Sequence, residues 1–497
     1  MIVDPVNARR ACSLVVATLT LVLTACGVMP PSADEEPDKP DVLFIAIDDL
    51  NDWVGAMGGP VQAKTPNIDA LAARGILFTN AHAVGTSCTP SRTALLTGVS
   101  PFNSGLYSHN IDWRENEALQ KQATLPRHFR DNGYETLGAG KIFHAHTYYI
   151  NGARGQQDVS AWDDYFPSLE RQLTDEIYPV ARQTEGEVLG RGKRTGRFDY
   201  LPISATDEAM GDGQVVSWLT EQMAKRSEGP RFVAAGIYRP HLPWYTPEAY
   251  FDLYPPDEIA LPPYLETDRE DVPEWQVSGG ESRGLGYGGM PKLSEPDATE
   301  VKHAMQGYLA SISFADAMVG KLIKALDESG RADNTIIVLW SDHGWHLGEK
   351  DTWGKFTLWE RSSHVPFIVV APGVTRAGTR SDASVSLQSV YATLADLAGL
   401  DVPKHVDGMS LRPLLEDPQG PWDEVAFTTH KFGSFAVQDG QWRYIRYEDG
   451  GEELYNHKVD PNEWNNLASD PEHADRLEAM RKKAPPTEEQ AAPQILD

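Results

Sequence analysis

Acidic, basic and imidazole side chains come directly after four short apolar segments of this sequence. In chain order, the side chains that follow the four segments are Asp48 and Asp49, then Lys141 and His144, then His241, and finally Asp342 and His343. Carboxylates bind divalent cations, lysine stabilises negative charge and histidine transfers protons at neutral pH. Ligands of open α/β sheets bind at the carboxyl ends of the strands. If the four apolar segments are strands of one sheet, these side chains therefore predict a single site at one of its edges.

The segment Cys88-Thr89-Pro90-Ser91-Arg92 places a thiol next to a predicted helix. Pro90 fits the first position of a helix, so Cys88 would lie in the positive field of the helix N-terminus. That field lowers the pKa of a thiol and favours nearby anions, which makes Cys88 a candidate reactive residue. Arg92 follows about one helical turn later and can reach back towards Cys88. A buried structural cysteine is the alternative interpretation of Cys88 taken alone.

The apolar segments have the length of buried strands. They cover 42–47, 134–139, 232–237 and 336–340. Helical patterns alternate with them: 65–75 has a threonine cap, a proline start and a terminal glycine, and 311–328 repeats apolar residues at helical spacing. This alternation predicts an α/β fold with a large, mostly parallel sheet sandwiched by helices.

Other stretches indicate loops and a second, smaller unit. The polar residues of 151–231 and the proline-rich, acidic residues of 255–291 predict long loops. Short strands are predicted near the C-terminus, followed by a helix near 474–481; the strands are 425–429, 435–438 and 442–446. We predict a large domain over 41–416 and a C-terminal α+β subdomain with a small antiparallel sheet over 417–497. His430 and Lys431 at a strand end are weaker site candidates.

The first 40 residues have the pattern of an export signal and a tether. Arg9 and Arg10 precede an uncharged stretch that is too short to span a bilayer and that ends in Leu23-Thr24-Ala25-Cys26. This ending resembles the bacterial lipobox, in which the cysteine is lipidated. We predict a signal peptide over 1–25, a disordered tether over 26–40, and anchoring of Cys26 in the inner or outer membrane, facing the periplasm or the cell surface. An ordinary cleaved signal is the alternative.

The charge of the chain excludes one class of function. The 497 residues include 44 lysines and arginines against 72 aspartates and glutamates, which gives a net charge of −28. General nucleic-acid binders need a basic surface, so this chain is not predicted to bind nucleic acid. An anionic substrate must instead meet a local cluster of positive groups or a metal.

The cysteine segment, followed by Thr97-Gly98, resembles the C-x-P-S-R signature of type I sulfatases, which belong to the alkaline phosphatase-like superfamily. The resemblance runs from Asp41 to Ala468 and includes the polar residues at the strand ends and Lys355. In that family a maturation enzyme oxidises the cysteine to formylglycine. One hydroxyl of its hydrated form attacks sulfur, and the other later expels sulfate, a cycle that a thiolate could not complete.

The resemblance also implies roles for the other polar residues. The family's metal, usually one Ca²⁺, would be bound by Asp48, Asp49, Asp342, His343 and the modified Cys88. The sulfate and the reacting atoms would be held by the remaining residues: Lys141 and Lys355 on sulfate oxygens, Arg92 on the nucleophile or the metal shell, His144 on the formylglycine, and His241 as the acid at the leaving oxygen. His82, His109 and His364 are interpreted as structural.

His343 departs from the common pattern, in which asparagine is often the fourth metal ligand. Imidazole suits softer metals than Ca²⁺, so this residue weakens an argument from oxygen ligands alone. The sequence Asp342-His343-Gly344 matches the iduronate-2-sulfatase branch of the family. The resemblance therefore implies removal of sulfate from a sulfated sugar, in an exo-acting manner on glycan fragments.

Two other functions compete with this one. A phosphate or phosphonate ester hydrolase of the same superfamily shares part of the metal shell, but many of those enzymes use threonine or serine and two transition metals. A non-catalytic lipoprotein that captures glycans is the second alternative. The intact set of Cys88, Arg92, Lys141, His241 and Lys355 argues against it, because a decayed enzyme should have lost at least one of them.

Overall fold

Short apolar runs form the strands of this protein, and amphipathic segments form its helices. The computed structural model describes residues 39–58, 62–108, 111–145, 155–169, 199–273, 292–294, 298–486 and 489–493. Its strands are β1 Asp41–Ile47, β2 Ile76–Phe78, β3 Ala81–His82, β4 Glu135–Gly140, β5 Asp164–Phe166, β6 Tyr200–Ile203, β7 Arg231–Ile237, β8 Trp244–Pro247, β9 Thr335–Ser341, β10 His346–Leu347, β11 Trp353–Gly354, β12 Phe367–Val370, β13 Thr379–Ser381, β14 Val385–Ser386, β15 Ala426–Lys431, β16 Ser434–Asp439, β17 Trp442–Arg446 and β18 Glu452–Asn456.

The α-helices range from single turns to one long helix of 30 residues. They are α1 Pro66–Ala72, α2 Cys88–Thr97, α3 Pro101–Ser104, α4 Leu125–Asp131, α5 Gly211–Met223, α6 Glu248–Phe251, α7 Thr299–Glu328, α8 Glu360–Ser363, α9 Val390–Leu397, α10 Arg412–Glu416 and α11 Ala474–Lys483. No helix within the described residues is both long and apolar enough to cross a membrane.

The large sheet has eight strands in the order β13-β2-β12-β9-β1-β7-β4-β5. All neighbours are parallel except at β12, which runs antiparallel to both β2 and β9. Every residue of β1 is buried, as the continuous apolar sequence of a central strand covered on both faces requires. The predicted α/β fold with a mostly parallel sheet is therefore confirmed.

Helices cover both faces of this sheet. On one face, Leu43, Ile45 and Ile47 of β1 pack in a core that includes apolar residues of α5 and α7. On the other face, Val42 and Phe44 pack in a second core, with residues of α2, α4 and α9. Because side chains alternate between the faces of a strand, one apolar strand supplies both cores.

The prediction of a loop over the whole of 151–231 was wrong, because the described residues of this stretch include regular elements. Helix α5 lies there, together with the short strands β5 and β6. Gly211 and Gly213 at its start lower helix propensity and concealed it, although Val215 and Leu219 are buried on its inner face. The predicted helix at 311–328 is also longer than expected, since α7 begins at Thr299.

The C-terminal strands form a separate antiparallel sheet in the order β15-β16-β17-β18. Strand β17 matches its predicted bounds, and β15 and β16 lie within two residues of theirs; β18 was not predicted. A bridge from Gly85 to Thr429 connects this sheet to the segment before Cys88. The predicted signal peptide and nearly all of the tether lie outside the described residues.

Candidate active site

The carboxyl ends of β1, β4, β7 and β9 bring the predicted residues together. Backbone hydrogen bonds continue past the strands, from Asp48 N to the Ile237 carbonyl (3.2 Å) and from Asp342 N to the Ile47 carbonyl (3.3 Å). Lys141 N donates to the Gly236 carbonyl at 3.0 Å. The prediction that these strand ends share one edge is therefore confirmed.

Gly236 allows the close approach that places Lys141. A Cβ built on Gly236 would lie 2.2 Å from the carbonyl carbon of Lys141 and 2.4 Å from its nitrogen. Gly140, the residue before Lys141, has a φ of +74° and would itself place a Cβ 2.1 Å from the Gly236 carbonyl oxygen. The turn that leads from β4 to Lys141 therefore requires glycine at both positions.

Cys88 is the first residue of α2, two residues earlier than Pro90 had indicated, and Ser87 is the N-cap. Two ammonium groups lie next to the Cys88 Sγ, Lys355 Nζ at 3.1 Å and Lys141 Nζ at 3.5 Å. His343 Nε2 is 3.3 Å from the sulfur, and Asp48 Oδ1 is 3.6 Å away. The group attached to Cβ of residue 88, here Sγ, therefore faces two cations and the predicted metal ligands.

The expectation that the helix field lowers the pKa of Cys88 was wrong. Burial, the largest effect, and the negative charge of Asp48 together raise the pKa of the thiol to about 12, although Lys141 and Lys355 act in the opposite direction. Desolvation of the thiolate outweighs the helix terminus because the residue is wholly buried. The unmodified cysteine is thus a protonated thiol and a poor nucleophile.

Asp342 organises the backbone around the site. Its Oδ1 accepts hydrogen bonds from Asp49 N and His343 N, each at 3.1 Å. Its Oδ2 accepts from Arg92 Nε at 2.7 Å, and its carbonyl oxygen accepts from the Ser91 hydroxyl at 2.6 Å. Asp342 thereby fixes the acidic turn after β1 and the first turn of α2 in one arrangement.

Three buried cations neutralise the carboxylates. Arg92 also lies 3.4 Å from Asp48 Oδ1 and donates to the carbonyls of Lys141 and Ile142. Lys141 Nζ contacts Asp48 Oδ2, and Lys355 Nζ lies 2.7 Å from Asp49 Oδ1. Arg92 therefore meets the predicted metal shell, and the two lysines bridge this shell and Cys88.

The carboxylates differ in their titration. Burial raises the pKa of Asp342, but Arg92, His343 and Lys141 outweigh burial and hold it well below the usual range. Burial and Asp342 raise the pKa of Asp48, but nearby cations, chiefly Lys141, outweigh them and hold this pKa below its usual value. Burial is the largest effect on Asp49 and raises its pKa to about 7; Asp48 and Asp342 act in the same direction, and Lys355 and Lys141 oppose them.

The donor set fits a divalent cation. Ligand atoms of Asp48, Cys88, Asp342 and His343 lie within 4.8 Å of one another. Among the described residues no hydrogen bond reaches Asp49 Oδ2, although this oxygen is buried. His343 Nδ1 lies 3.2 Å from the Gly344 carbonyl, so Nδ1 carries the proton and Nε2 presents a lone pair to the cluster. Three carboxylates and one imidazole can therefore hold one cation here.

His241 lies at the open side of the cluster. Its side chain is 16% exposed, and its Nε2 lies 4.0 Å from Asp49 Oδ2. Nδ1 is 2.6 Å from the Leu242 carbonyl, which assigns the proton to Nδ1 and directs the Nε2 lone pair inward. Asp212 fixes this turn by accepting hydrogen bonds from Tyr238 N and Arg239 N, at 2.7 and 3.0 Å.

The remaining candidates lie at different places. His144 is buried after β4, and its carbonyl accepts from Gln156 N; its predicted contact with modified Cys88 stays a prediction. His430 Nδ1 lies 2.8 Å from Thr86 Oγ1, two residues before Cys88. His82 and His364 stack on each other beside Glu360, and His109 lies outside the described residues.

The sequence did not identify the residues that support the site from the helices. Tyr308 of α7 donates to the Asp49 carbonyl at 2.8 Å and accepts from Asn51 N at 3.0 Å. Asp49 has a φ of +61°, so these bonds hold a backbone conformation that is uncommon for residues other than glycine. Tyr308 was missed because, in the helical spacing of apolar residues along α7, it is one of many buried positions. Ser91, by contrast, lies inside the cysteine motif.

Comparison with known proteins gives a consistent result. The sulfatase family profile matches residues 40–400, and the profile of the C-terminal part of N-sulphoglucosamine sulphohydrolase matches 348–490. A sulfatase of Formosa agariphila is 36% identical over 461 residues, which cover 91% of this chain and 88% of that protein. Human iduronate 2-sulfatase is 32% identical over 430 residues, covering 78% and 74% respectively.

Among solved structures, a phosphonate monoester hydrolase of Agrobacterium radiobacter has the same fold. The TM-score is 0.68 at 23% sequence identity, and the similarity covers 89% of this chain and 94% of that one. The family profile, the two sulfatase relatives and the Cys88 cluster lead to one conclusion. The chain belongs to the sulfatase family of the alkaline phosphatase-like superfamily and is a sulfuric ester hydrolase.

Proposed function

We propose that this sulfatase hydrolyses the sulfate ester of a sulfated sugar through a formylglycine made from Cys88 by a maturation enzyme. The observation that carries the proposal is the position of Sγ, within 3.1 and 3.5 Å of two lysine ammonium groups at the start of α2. Formylglycine supplies an oxygen nucleophile that can later release sulfate. Lys141 and Lys355 hold the negative charge of the sulfate oxygens.

The proposal includes one divalent cation, Ca²⁺, on Asp48, Asp49, Asp342, His343 and modified Cys88. The buried Asp49 Oδ2 and the inward lone pair of His343 support it. When bound, the cation supplies positive charge for the sulfate oxygens. Arg92 keeps Asp48 and Asp342 ionised and in place. Burial and Lys141 hold the pKa of His241 well below its usual value, so its Nε2 must first take up a proton from solvent, which the ring then gives readily to the leaving oxygen at the open side.

We propose exo-type removal of sulfate from a sugar next to, or part of, a uronic acid. The 32% identity to human iduronate 2-sulfatase and the resemblance of Asp342-His343-Gly344 to the iduronate-2-sulfatase branch support this substrate class. Human iduronate 2-sulfatase aligns over only 78% of this chain, so the loops that select the sugar can differ.

We also propose that a lipid on Cys26 anchors the mature protein, after removal of residues 1–25, in the periplasm or at the cell surface. The sequence before Cys26 and the proline-rich tether to residue 40 support this location. The limits 41–416 for the catalytic domain and 417–497 for the C-terminal subdomain belong to the same proposal.

Release of sulfate from defined substrates tests the substrate class. Full-length enzyme, coexpressed with a formylglycine-generating enzyme, would be assayed on uronate-2-O-sulfated disaccharides, other sulfated sugars, an aryl sulfate and phosphate esters, with Cys88→Ala as control. We expect the uronate disaccharide to give the highest kcat/KM among the sugars. A preference for phosphate or phosphonate esters, or binding of glycans without release of sulfate, would contradict the proposal.

A further inference from the structure

A second polar cavity, of about 260 Å³, lies between the segment after Lys355 and the C-terminal sheet. We call it the Glu360 cavity. Glu360 and His364, at the two ends of α8, line one side of the cavity, and His457 and Glu463, which follow β18, line the other side. Cys88 and the ligands of the proposed Ca²⁺ site are not among the described residues that line it.

Three side chains in this cavity are spaced as metal ligands. Ligand atoms of Glu360, His457 and Glu463 lie within 4.8 Å of one another. His457 lies between the two carboxylates, with Nε2 at 3.1 Å from Glu463 Oε1 and Nδ1 at 3.9 Å from Glu360 Oε1. Only one nitrogen of His457 can face a given ion, and donors that each lie about 2.0–2.2 Å from one ion are about 3–4 Å apart. Small side-chain rotations from the present spacing, within 4.8 Å, would therefore bring one nitrogen and the two carboxylates around a cation.

The tautomer of His364 is a second, independent observation. Its Nε2 lies 3.0 Å from the Thr79 carbonyl, which only accepts, so Nε2 carries the proton of the neutral ring. The Nδ1 lone pair then faces two carboxylate oxygens, Glu360 Oε1 at 3.5 Å and Asp52 Oδ2 at 3.8 Å. One nitrogen lone pair and two carboxylate oxygens, all of them electron-rich, therefore lie close together at this point. Histidines that bind metals have this arrangement, with the far N–H donated to a carbonyl or carboxylate.

The charges around the cavity do not balance. Five carboxylates line its described part: Asp52, Asp268, Glu349, Glu360 and Glu463. Lys350 and Arg361 are the cations of that lining, and Arg443 adds a third, at 3.1 Å from Glu360 Oε2 and 3.3 Å from Glu463 Oε1. Two negative charges remain, which either one divalent cation or two protonated imidazoles would neutralise.

We propose that the Glu360 cavity is a second divalent-cation site, which takes a metal of the Zn²⁺ class on Glu360, His457 and Glu463, with His364 as the neighbouring donor. Mixed imidazole and carboxylate donors favour Zn²⁺ over Ca²⁺. Glu360 lies five residues after Lys355, and His457 directly follows β18. A cation at this site would therefore tie the segment that carries a sulfate-binding lysine to the C-terminal sheet.

Metal stoichiometry separates this site from the proposed Ca²⁺ site. Full-length wild-type protein, Asp342→Ala, His457→Gln and His473→Gln would be stripped of metal, titrated with ZnCl₂ and analysed for bound zinc. His473 is a partly exposed histidine of α11's N-terminal flank and serves as the matched control. We expect Asp342→Ala, which lacks a ligand of the proposed Ca²⁺ site, to keep one tightly bound zinc, and wild type and His473→Gln to bind at least that one. In His457→Gln the affinity of the second site for zinc should be at least about tenfold weaker. Asp342→Ala should lose calcium from the proposed Ca²⁺ site and still bind this zinc, so the two sites can be tested separately.

A second variant guards against misfolding of His457→Gln. His364→Gln leaves the Arg443 contacts intact, and we expect it to bind zinc about tenfold more weakly than wild type. Equal zinc binding by wild type, His457→Gln and His364→Gln would overturn the proposal. So would a melting temperature that zinc does not raise but that falls between about pH 6 and pH 8, because protonated imidazoles would then supply the missing charge.

Discussion

At the scale of single residues, the chemistry of this site depends on burial as much as on residue type. Residue types at strand ends predicted Asp48, Lys141, His241 and Asp342, and the structure brings them to one edge. The pKa of Cys88 could not be predicted in this manner, because a helix N-terminus is visible in a sequence and complete desolvation of a thiol is not. Burial turned the expected reactive thiolate into a protonated thiol.

His241 is expected to matter in proportion to the difficulty of the leaving group. In His241→Asn, kcat for a sugar sulfate should fall by about 10²–10⁴, since its alkoxide needs a proton as the ester bond breaks. An aryl sulfate with an acidic phenol needs no such proton, and its kcat should fall by less than about tenfold. Steady-state kinetics on both substrates, with His473→Asn as control, measure the difference. Equal losses on both would assign His241 a role in binding only.

At the scale of elements, close contacts between strands and helices place the reactive groups. The sequence predicted the strands because their apolar runs are continuous, and it predicted the helices with clear caps. Helix α5 was missed because two glycines obscure its start, yet its Asp212 fixes the turn that carries His241. Long-range contacts of this kind join residues that are distant in sequence, and periodicity does not reveal them.

Gly236→Ala is expected to displace Lys141. The added methyl would overlap the Lys141 backbone, so stability should fall by about 1–3 kcal/mol and activity should fall with it. Gly229→Ala, just before the same strand, is the matched control, since a Cβ there meets nothing within 4 Å. Denaturant unfolding and sulfate release would be measured for both. An active, stable Gly236→Ala protein would show that the close approach is not needed.

Tyr308→Phe is expected to weaken metal binding without disrupting the core. The variant leaves the Asp49 carbonyl and the Asn51 N–H without their partner, so the acidic turn loses support and calcium affinity should fall about tenfold. Tyr254→Phe removes a comparable buried hydroxyl, bonded to Ser313 and Lys64, away from the site. Calorimetric titration with CaCl₂ compares the two variants. Equal affinities would assign Tyr308 to packing alone.

At the scale of the whole molecule, the net charge of −28 acts on every anionic substrate that approaches. Long polyanions should be repelled at low salt, and screening over about 8–10 Å at ~0.1–0.15 M ionic strength should reduce this repulsion. We expect the rate on a sulfated polymer to rise several-fold between about 0.02 and 0.2 M NaCl, and the rate on a disaccharide to change little. Equal rates on both at low salt would count against exo-type action on short fragments.

The overall architecture followed from the sequence more completely than the site did. Alternating apolar runs and helical patterns predicted the parallel sheet, and the change of pattern after residue 416 predicted the antiparallel sheet. The contacts of Tyr308, the exposure of His241 and the Glu360 cavity arise only when these parts pack together. No local pattern encodes them.

The central claim is that oxidised Cys88 is the nucleophile, and mass spectrometry coupled to activity tests it most directly. The peptide that contains residue 88 should be about 18 Da lighter than its cysteine form, and kcat across preparations should rise in proportion to the fraction converted. Preparations made with and without a formylglycine-generating enzyme supply that range. Full turnover by protein whose Cys88 remains a thiol would contradict the account.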